Sequence, residues 1–185
     1  MLEELLSFAK APMYERDVNT AISYKLIYLF KLLVLALCSS ILLLMLAGTI
    51  QNLFSIELGK HAIDDLFENN SVIIIFFLSV LIAPISEELL FRGPLVFFKN
   101  SKFFGVAFYI VTLIFGIIHI SNFELTTQVW LLSPILIAPQ VSVGFLLGFI
   151  RVKFGLLWSI IMHACYNLVL VLPLLLLKFL DIPIE

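Results

Sequence analysis

Residues 72–98 read VIIIFFLSVLIAPISEELLFRGPLVFF, an apolar run broken by Pro84 and by the charged cluster Glu87, Glu88 and Arg92. A helix crossing the hydrocarbon core of a bilayer takes about 20 apolar residues, so this run is long enough to span. An ionisable side chain at that depth costs roughly 2.5–3.5 kcal/mol on insertion scales, and therefore needs a partner or a task. Length and embedded charge together set the reading of the whole chain: a membrane protein with chemistry inside the bilayer.

Further runs of the same character lie on both sides. One extends from about Leu26 to Thr49, with Lys25 and Lys31 at its start; others cover Phe103 to Ile120, Val129 to Ile150 and Phe154 to Leu172. Pro134 and Pro139 fall inside the Val129 run, and prolines are tolerated in spans where neighbours satisfy the freed carbonyls. Residues 173–180 either prolong the last span past Pro173 or form a short extra segment. The expected fold is all-α, a polytopic transmembrane helical bundle of about five to seven spans around an intramembrane polar cavity. It is expected to be a single membrane domain over residues 1–185. Composition agrees, with 62% hydrophobic and 13% charged residues and a mean hydropathy of +1.15. The charged share is about half that of a soluble domain, which would have no place to bury so much apolar surface. A net charge of −2 leaves no basic footprint, so nucleic acid is excluded as a partner and the lipid bilayer is the expected surrounding.

The N-terminal segment, residues 1–24, differs from the rest. Leu2, Leu5, Leu6 and Ala9 recur at helical spacing beside Glu3 and Glu4, which predicts a short amphipathic helix on the membrane surface. A secretory signal would instead open with a basic region and an unbroken apolar one. Lys and Arg concentrate before the first span, between Arg92 and Lys102, and at Arg151 to Lys153, which is read as a tight turn. The 50–70 connection and the loop at Glu124 are acidic, so the positive-inside rule puts the N-terminus in the cytoplasm. Cys38 and Cys165 both sit in apolar runs and are read as small core residues, not as a disulfide framework.

Three places carry chemistry. In the first, Glu88 and Arg92 are four apart, share a helix face and can pair. Glu87 is turned by about 100° from Glu88, and its neighbour at i+4 is Phe91, so it has no counter-ion on its own helix. A carboxylate left in that state suits a general base. The second place ends at His119, in Phe115-Gly116-Ile117-Ile118-His119, where Gly116 admits a close neighbour. The third is His163-Ala164-Cys165-Tyr166-Asn167, with His163 and Asn167 on one face of a deep span. Each has a plain structural reading too: a solvated helix end, a satisfied histidine, an amide–imidazole pair. Together they supply one carboxylate, two imidazoles and an amide on separate helices, which is a hydrolytic set. Glu87 can deprotonate water. His119 and His163 can bind a divalent metal or donate to an oxyanion, and Asn167 can orient His163 or donate to developing charge. Ser159 shares a face with His163, but no Gly-x-Ser-x-Gly elbow accompanies it, so it is read as a packing hydroxyl. His61 lies in the acidic connection and is read as solvated.

In order along the chain, Glu87-Glu88…Arg92, Phe115…His119 and His163…Asn167 resemble the motifs of the CPBP family of intramembrane proteases. That family includes the CAAX prenyl endopeptidases and bacterial Abi-like proteins linked to bacteriocin processing or self-immunity. Ala83-Pro84, Phe91-Arg92-Gly93 and the glycines at 144 and 148 look similar as well. The resemblance covers roughly residues 72–170, the expected catalytic core. It implies a cavity opening within the membrane, the bacterial cytoplasmic one in family terms, and a membrane-associated peptide or protein as substrate. It implies that Glu87 activates water, that His119, His163 and Asn167 surround the scissile carbonyl, and that Glu88 and Arg92 support them. It leaves open a metalloprotease or a metal-independent glutamate protease. In the first case a divalent metal, Zn2+ before others, would be held through His119 and His163. Two imidazoles and a carboxylate match a catalytic zinc site with an open position.

Two other functions compete. One is a non-catalytic immunity or scaffold protein of the same fold. The other is a proton-coupled transporter, since Glu and His also serve as proton relays, although no inverted repeat is visible. The enzyme reading carries a geometric requirement. His119 lies about 24 Å along a helix from the positive loop at Lys102, so a simple hairpin would hold it far from Arg92. Glu87 and His119 can meet only if the helix carrying Glu87 runs on towards Phe98, with Pro84 marking a bend.

Overall fold

The computed structural model describes residues 1–182, so the last three residues of the expected domain lie outside the described residues. Five helical segments are long and apolar enough to cross a membrane: Ile22–Leu53, Val72–Phe98, Phe104–Asn122, Thr127–Phe154 and Leu156–Phe179. The all-α polytopic bundle is therefore as expected, at the low end of the anticipated number of spans.

Helix α1 (Leu2–Lys10) precedes α2 (Ile22–Leu53), which is apolar around most of its circumference. Such a helix needs apolar surroundings on every side. Leu42, Leu44 and Met45 stay exposed on it, as a lipid-facing wall requires. Cys38 is exposed there too, and Cys165 is half-buried, which corrects the core reading of both. In a bilayer an apolar neighbourhood along the chain does not imply protein packing, because lipid replaces it.

The second span is composite. It follows α3 (Ala62–Asn69) and runs through α4 (Val72–Phe76), a π-helical turn (Phe77–Ile82), α5 (Ala83–Phe91) and a 3-10 turn (Pro94–Phe98). Ala83 N–H reaches back five residues to the Leu78 carbonyl, the wide spacing of a π turn. At the other end Arg92 and Gly93 N–H both bond the Glu88 carbonyl at 2.9 Å, and the chain tightens. The segment thus continues to Phe98, as the convergence of Glu87 and His119 demands, but with the α-helix interrupted after Phe91.

Helix α6 (Phe104–Ile118) ends in a 3-10 turn at His119–Asn122. The fourth span breaks at Ile137, between α7 (Thr127–Leu136) and α8 (Ala138–Phe154). Pro139, which lacks the N–H a continuous helix would use, stands just after the break. Helix α9 (Leu156–Phe179) runs through Pro173 without interruption, so residues 173–179 prolong the last span. Helix α8 is the central strut, packed against α2, α6 and α9. Its glycines admit aromatic rings: a Cβ on Gly148 would stand 2.5 Å from the Phe108 ring.

Arg151 and Lys153 do not form a turn. Both are buried in the last turn of α8, and the chain reverses at Gly155, whose φ is +103°. Only glycine adopts that backbone readily. The two cations are buried because the N-terminal segment folds over them. Lys153 pairs with Glu4 and Asp17, while Arg151 donates to the Tyr14 hydroxyl at 2.9 Å and to the Arg92 carbonyl at 3.1 Å. Burial raises the Asp17 pKa, but hydrogen bonds from Lys153, Asn19 and Tyr24 outweigh it and the pKa falls to about 2. Helix α1 is docked in place, with Leu5 in the core and Phe8 edge-on to Phe108 at 5.0 Å and to Phe149 at 5.2 Å. The amphipathic helix exists as predicted; Leu5 and Phe8 meet protein, while Leu2 and Leu6 stay exposed.

His61 is likewise more than solvated. Its Nδ1 caps α3 by accepting from Ile63 N–H at 3.1 Å, Asp64 completes a capping box, and the ring stands edge-on to Phe123 at 4.8 Å. Burial pushes its pKa down against the nearby Asp64 charge, which favours the neutral ring that can accept.

Candidate active site

Glu87 and Glu88 are neighbours on α5 with opposite fates. Glu88 is fully buried. Its Oε1 accepts from Arg92 Nη1 at 3.1 Å and from His163 Nδ1 at 3.0 Å, and its Oε2 accepts from Ser159 Oγ. Arg92, 1% exposed, also donates through Nη2 to the Gly144 carbonyl at 3.1 Å and lies 3.9 Å over the Phe115 ring. A Cβ on Gly144 would come 2.9 Å from that ring and 3.1 Å from Arg92, so the close approach needs glycine. Fixed dipoles and a ring face thus replace the water that both charges lost on burial.

This network corrects the role expected of Asn167. Glu88, not Asn167, orients His163. A carboxylate accepts, so His163 carries a proton on Nδ1, and the neutral ring presents a bare Nε2. Ser159, read as a packing hydroxyl, is bonded to Glu88 and lies 2.9 Å from the Leu147 carbonyl. Its spacing from His163 was legible, but the carboxylate between them was not. His119 Nδ1 lies 2.7 Å from the Phe115 carbonyl one turn earlier, so it too holds a proton on Nδ1, and Nε2 is bare in the neutral ring.

Both bare nitrogens face Glu87. Its Oε2 stands 3.9 Å from His119 Nε2 and 3.9 Å from His163 Nε2. That oxygen is buried and has no hydrogen-bond partner. With both rings neutral, three acceptors converge with no donor among them, an arrangement relieved when something positive or hydrogen-bearing enters the gap. The sequence brings these side chains together from three spans, as the geometric requirement demanded. Beside them lies a cavity of about 560 Å³ lined by His119, His163, Asn167, Ser79, Gln140 and His61, among others. Ala83 and Ser79 line it, four and eight residues before Glu87 on the second span.

Asn167 has its own partner. Its Nδ2 donates to the Ser79 carbonyl at 2.8 Å. In the π register that carbonyl would accept from residue 84, which is proline and has no N–H. Asn167 supplies the missing donor and ties α9 to the second span. Asn167→Ala is therefore expected to cost about 1–3 kcal/mol, the usual penalty for an orphaned buried carbonyl. In a Pro84→Ala background, which returns an N–H, the same change should cost clearly less. Thermal unfolding of the four proteins in detergent measures this, and equal penalties in both backgrounds would refute the assignment.

Residues 69–169 match the family described as Type II CAAX prenyl endopeptidase Rce1-like. The chain belongs to that family. The match spans all three motif regions and more than half the chain. It makes the protein a membrane peptidase of CAAX type in general terms, a hydrolase embedded in the bilayer by its helices. No curated protein matches the chain, and no solved structure matches it.

Proposed function

We propose that this family member is an intramembrane endopeptidase in which Glu87 activates the attacking water. The observation that carries the reading is the unpaired Glu87 Oε2 facing two bare imidazole nitrogens. A water in that gap can donate one hydrogen to Glu87 and the other to an imidazole, which relieves the acceptor clash. Glu87 then takes a proton as the water oxygen bonds to the scissile carbonyl carbon and the carbonyl electrons move onto oxygen. Collapse of the tetrahedral intermediate breaks the C–N bond, and the amine leaves with the proton returned by Glu87. Glu88, fixed by Arg92 and Ser159, holds His163 in the tautomer this needs. Asn167 has one amide hydrogen on Ser79, so its second is free for the oxyanion.

The donor set also favours a second reading. His119 Nε2, His163 Nε2 and Glu87 Oε2 are all lone-pair donors of the kind that hold a catalytic divalent metal such as Zn2+, which would polarise the carbonyl or its bound water. Ligands about 2.1 Å from a tetrahedral zinc stand about 3.4 Å apart, closer than the 3.9 Å found here. Among the described residues no group of three lies at metal-ligating spacing. The wider gap suits water, so the glutamate reading is preferred.

The substrate proposed is a membrane-associated peptide, entering the 560 Å³ cavity from the bilayer with a prenylated C-terminus as the family's description indicates. The membrane proposed is a bacterial cytoplasmic one, with the N-terminus inside. The test uses purified protein and an internally quenched peptide ending in a prenylated Cys-aliphatic-aliphatic-X sequence. Cleavage is expected, and it is expected to persist after a strong chelator. Loss on chelation that zinc restores would transfer water activation to the metal.

A further inference from the structure

A residue outside the three motifs points into the same cavity. Gln140 is on the first turn of α8 and lines the cavity with His119, His163 and Asn167. Its Oε1 is buried and has no hydrogen-bond partner. Among the described residues only Glu87 Oε2 shares that state. Buried polar atoms are nearly always paired in native folds, so each orphan calls for an explanation. For Glu87 Oε2 the explanation is the reacting water.

The packing of α6 on α8 places Gln140 in register with the chemistry. The two helices are antiparallel: a Cβ on Gly148 would meet Phe108, one on Gly144 would meet Phe115, and one on Gly116 would meet Val141. One turn further along both helices, the same register brings His119 opposite Gln140. Nothing protein-borne bonds the carboxamide oxygen, although the residue lines the same cavity as the two imidazoles.

We infer that Gln140 is a substrate-positioning residue, whose Oε1 accepts a hydrogen bond from a backbone N–H of the substrate flanking the scissile bond. The inference rests on the peptidase reading and extends it. An extended peptide carries its N–H groups along its edge whatever its side chains are, so this contact aligns substrates without selecting sequence. It holds the scissile carbonyl in place against Glu87 and the imidazoles, which is how a single remote hydrogen bond contributes to turnover.

The test pairs enzyme variants with backbone-edited substrates. The prenylated quenched peptide is compared with analogues in which one amide near, but not at, the scissile bond is replaced by an ester, removing one N–H. In the wild type one analogue should lose about 3- to 10-fold in kcat/KM, the worth of one hydrogen bond. In Gln140→Leu the parent should fall by a similar factor, and that analogue should no longer differ from it. Gln140→Glu keeps an acceptor oxygen and should keep the discrimination. A merely structural residue would slow all substrates alike, so an undiminished ester penalty in Gln140→Leu overturns the inference while leaving Glu87 in its role. Wild-type protein that cleaves none of the peptides overturns the peptidase reading and this inference with it.

Discussion

Glu87→Gln should lower kcat by about 10²–10⁴-fold, the usual contribution of a positioned general base, and leave the protein at least as stable as before. The second half of that expectation is the unusual one. Removing a buried carboxylate normally harms a fold because its partners are orphaned. Here Oε2 has no partner, and it faces two bare imidazole nitrogens at 3.9 Å. A glutamine amide is a donor and can bond one of them, so the substitution removes a clash. Peptide cleavage and thermal unfolding in the same detergent read both effects. A Glu87→Gln protein that melts well below wild type would show that Glu87 is a structural residue, and a fully active one would end the glutamate mechanism.

Arg92→Leu is the substitution expected to damage the fold most. Arg92 bonds Glu88 at 3.1 Å and the Gly144 carbonyl at 3.1 Å with almost no access to water. Taking one member of such a pair away leaves the other charge buried and uncompensated, at a cost of about 3–5 kcal/mol. His163 would also lose the fixed carboxylate that sets its tautomer. Adding Glu88→Gln should recover part of the stability, since the remaining group is then neutral, but should not recover activity. Unfolding temperatures of the wild type, the single variants and the double variant form the cycle. Additive losses would show that Arg92 and Glu88 act independently, contrary to the bonded geometry.

Much of this was readable from the chain. The spans follow from apolar runs of bilayer length, and the Glu88–Arg92 pair follows from four-residue spacing. The requirement that the segment carrying Glu87 run on towards Phe98 followed from helix rise alone, and the second span meets it. What escaped were relations between helices. Ser159 and Glu88 are far apart in sequence, and no periodicity connects them. The bond from Asn167 to the Ser79 carbonyl was not readable, because the π turn at Phe77–Ile82 is invisible to a period of 3.6 residues. Only the missing N–H of Pro84 hints that a carbonyl upstream needs a donor. Arg151 and Lys153 looked like turn residues because buried cations are rare. Their partners, Tyr14, Glu4 and Asp17, come from a segment more than a hundred residues earlier.

That last closure imposes an order on synthesis. Leu5 and Phe8 occupy sites built in part by α8, and Glu4 and Asp17 close on Lys153. At about 5–20 residues per second, α8 leaves the ribosome many seconds after the first residues do. Helix α1 cannot complete its packing until the scaffold that receives it has been threaded into the membrane. A bulky fusion attached ahead of Met1 should therefore interfere with maturation more than the same fusion placed on a loop.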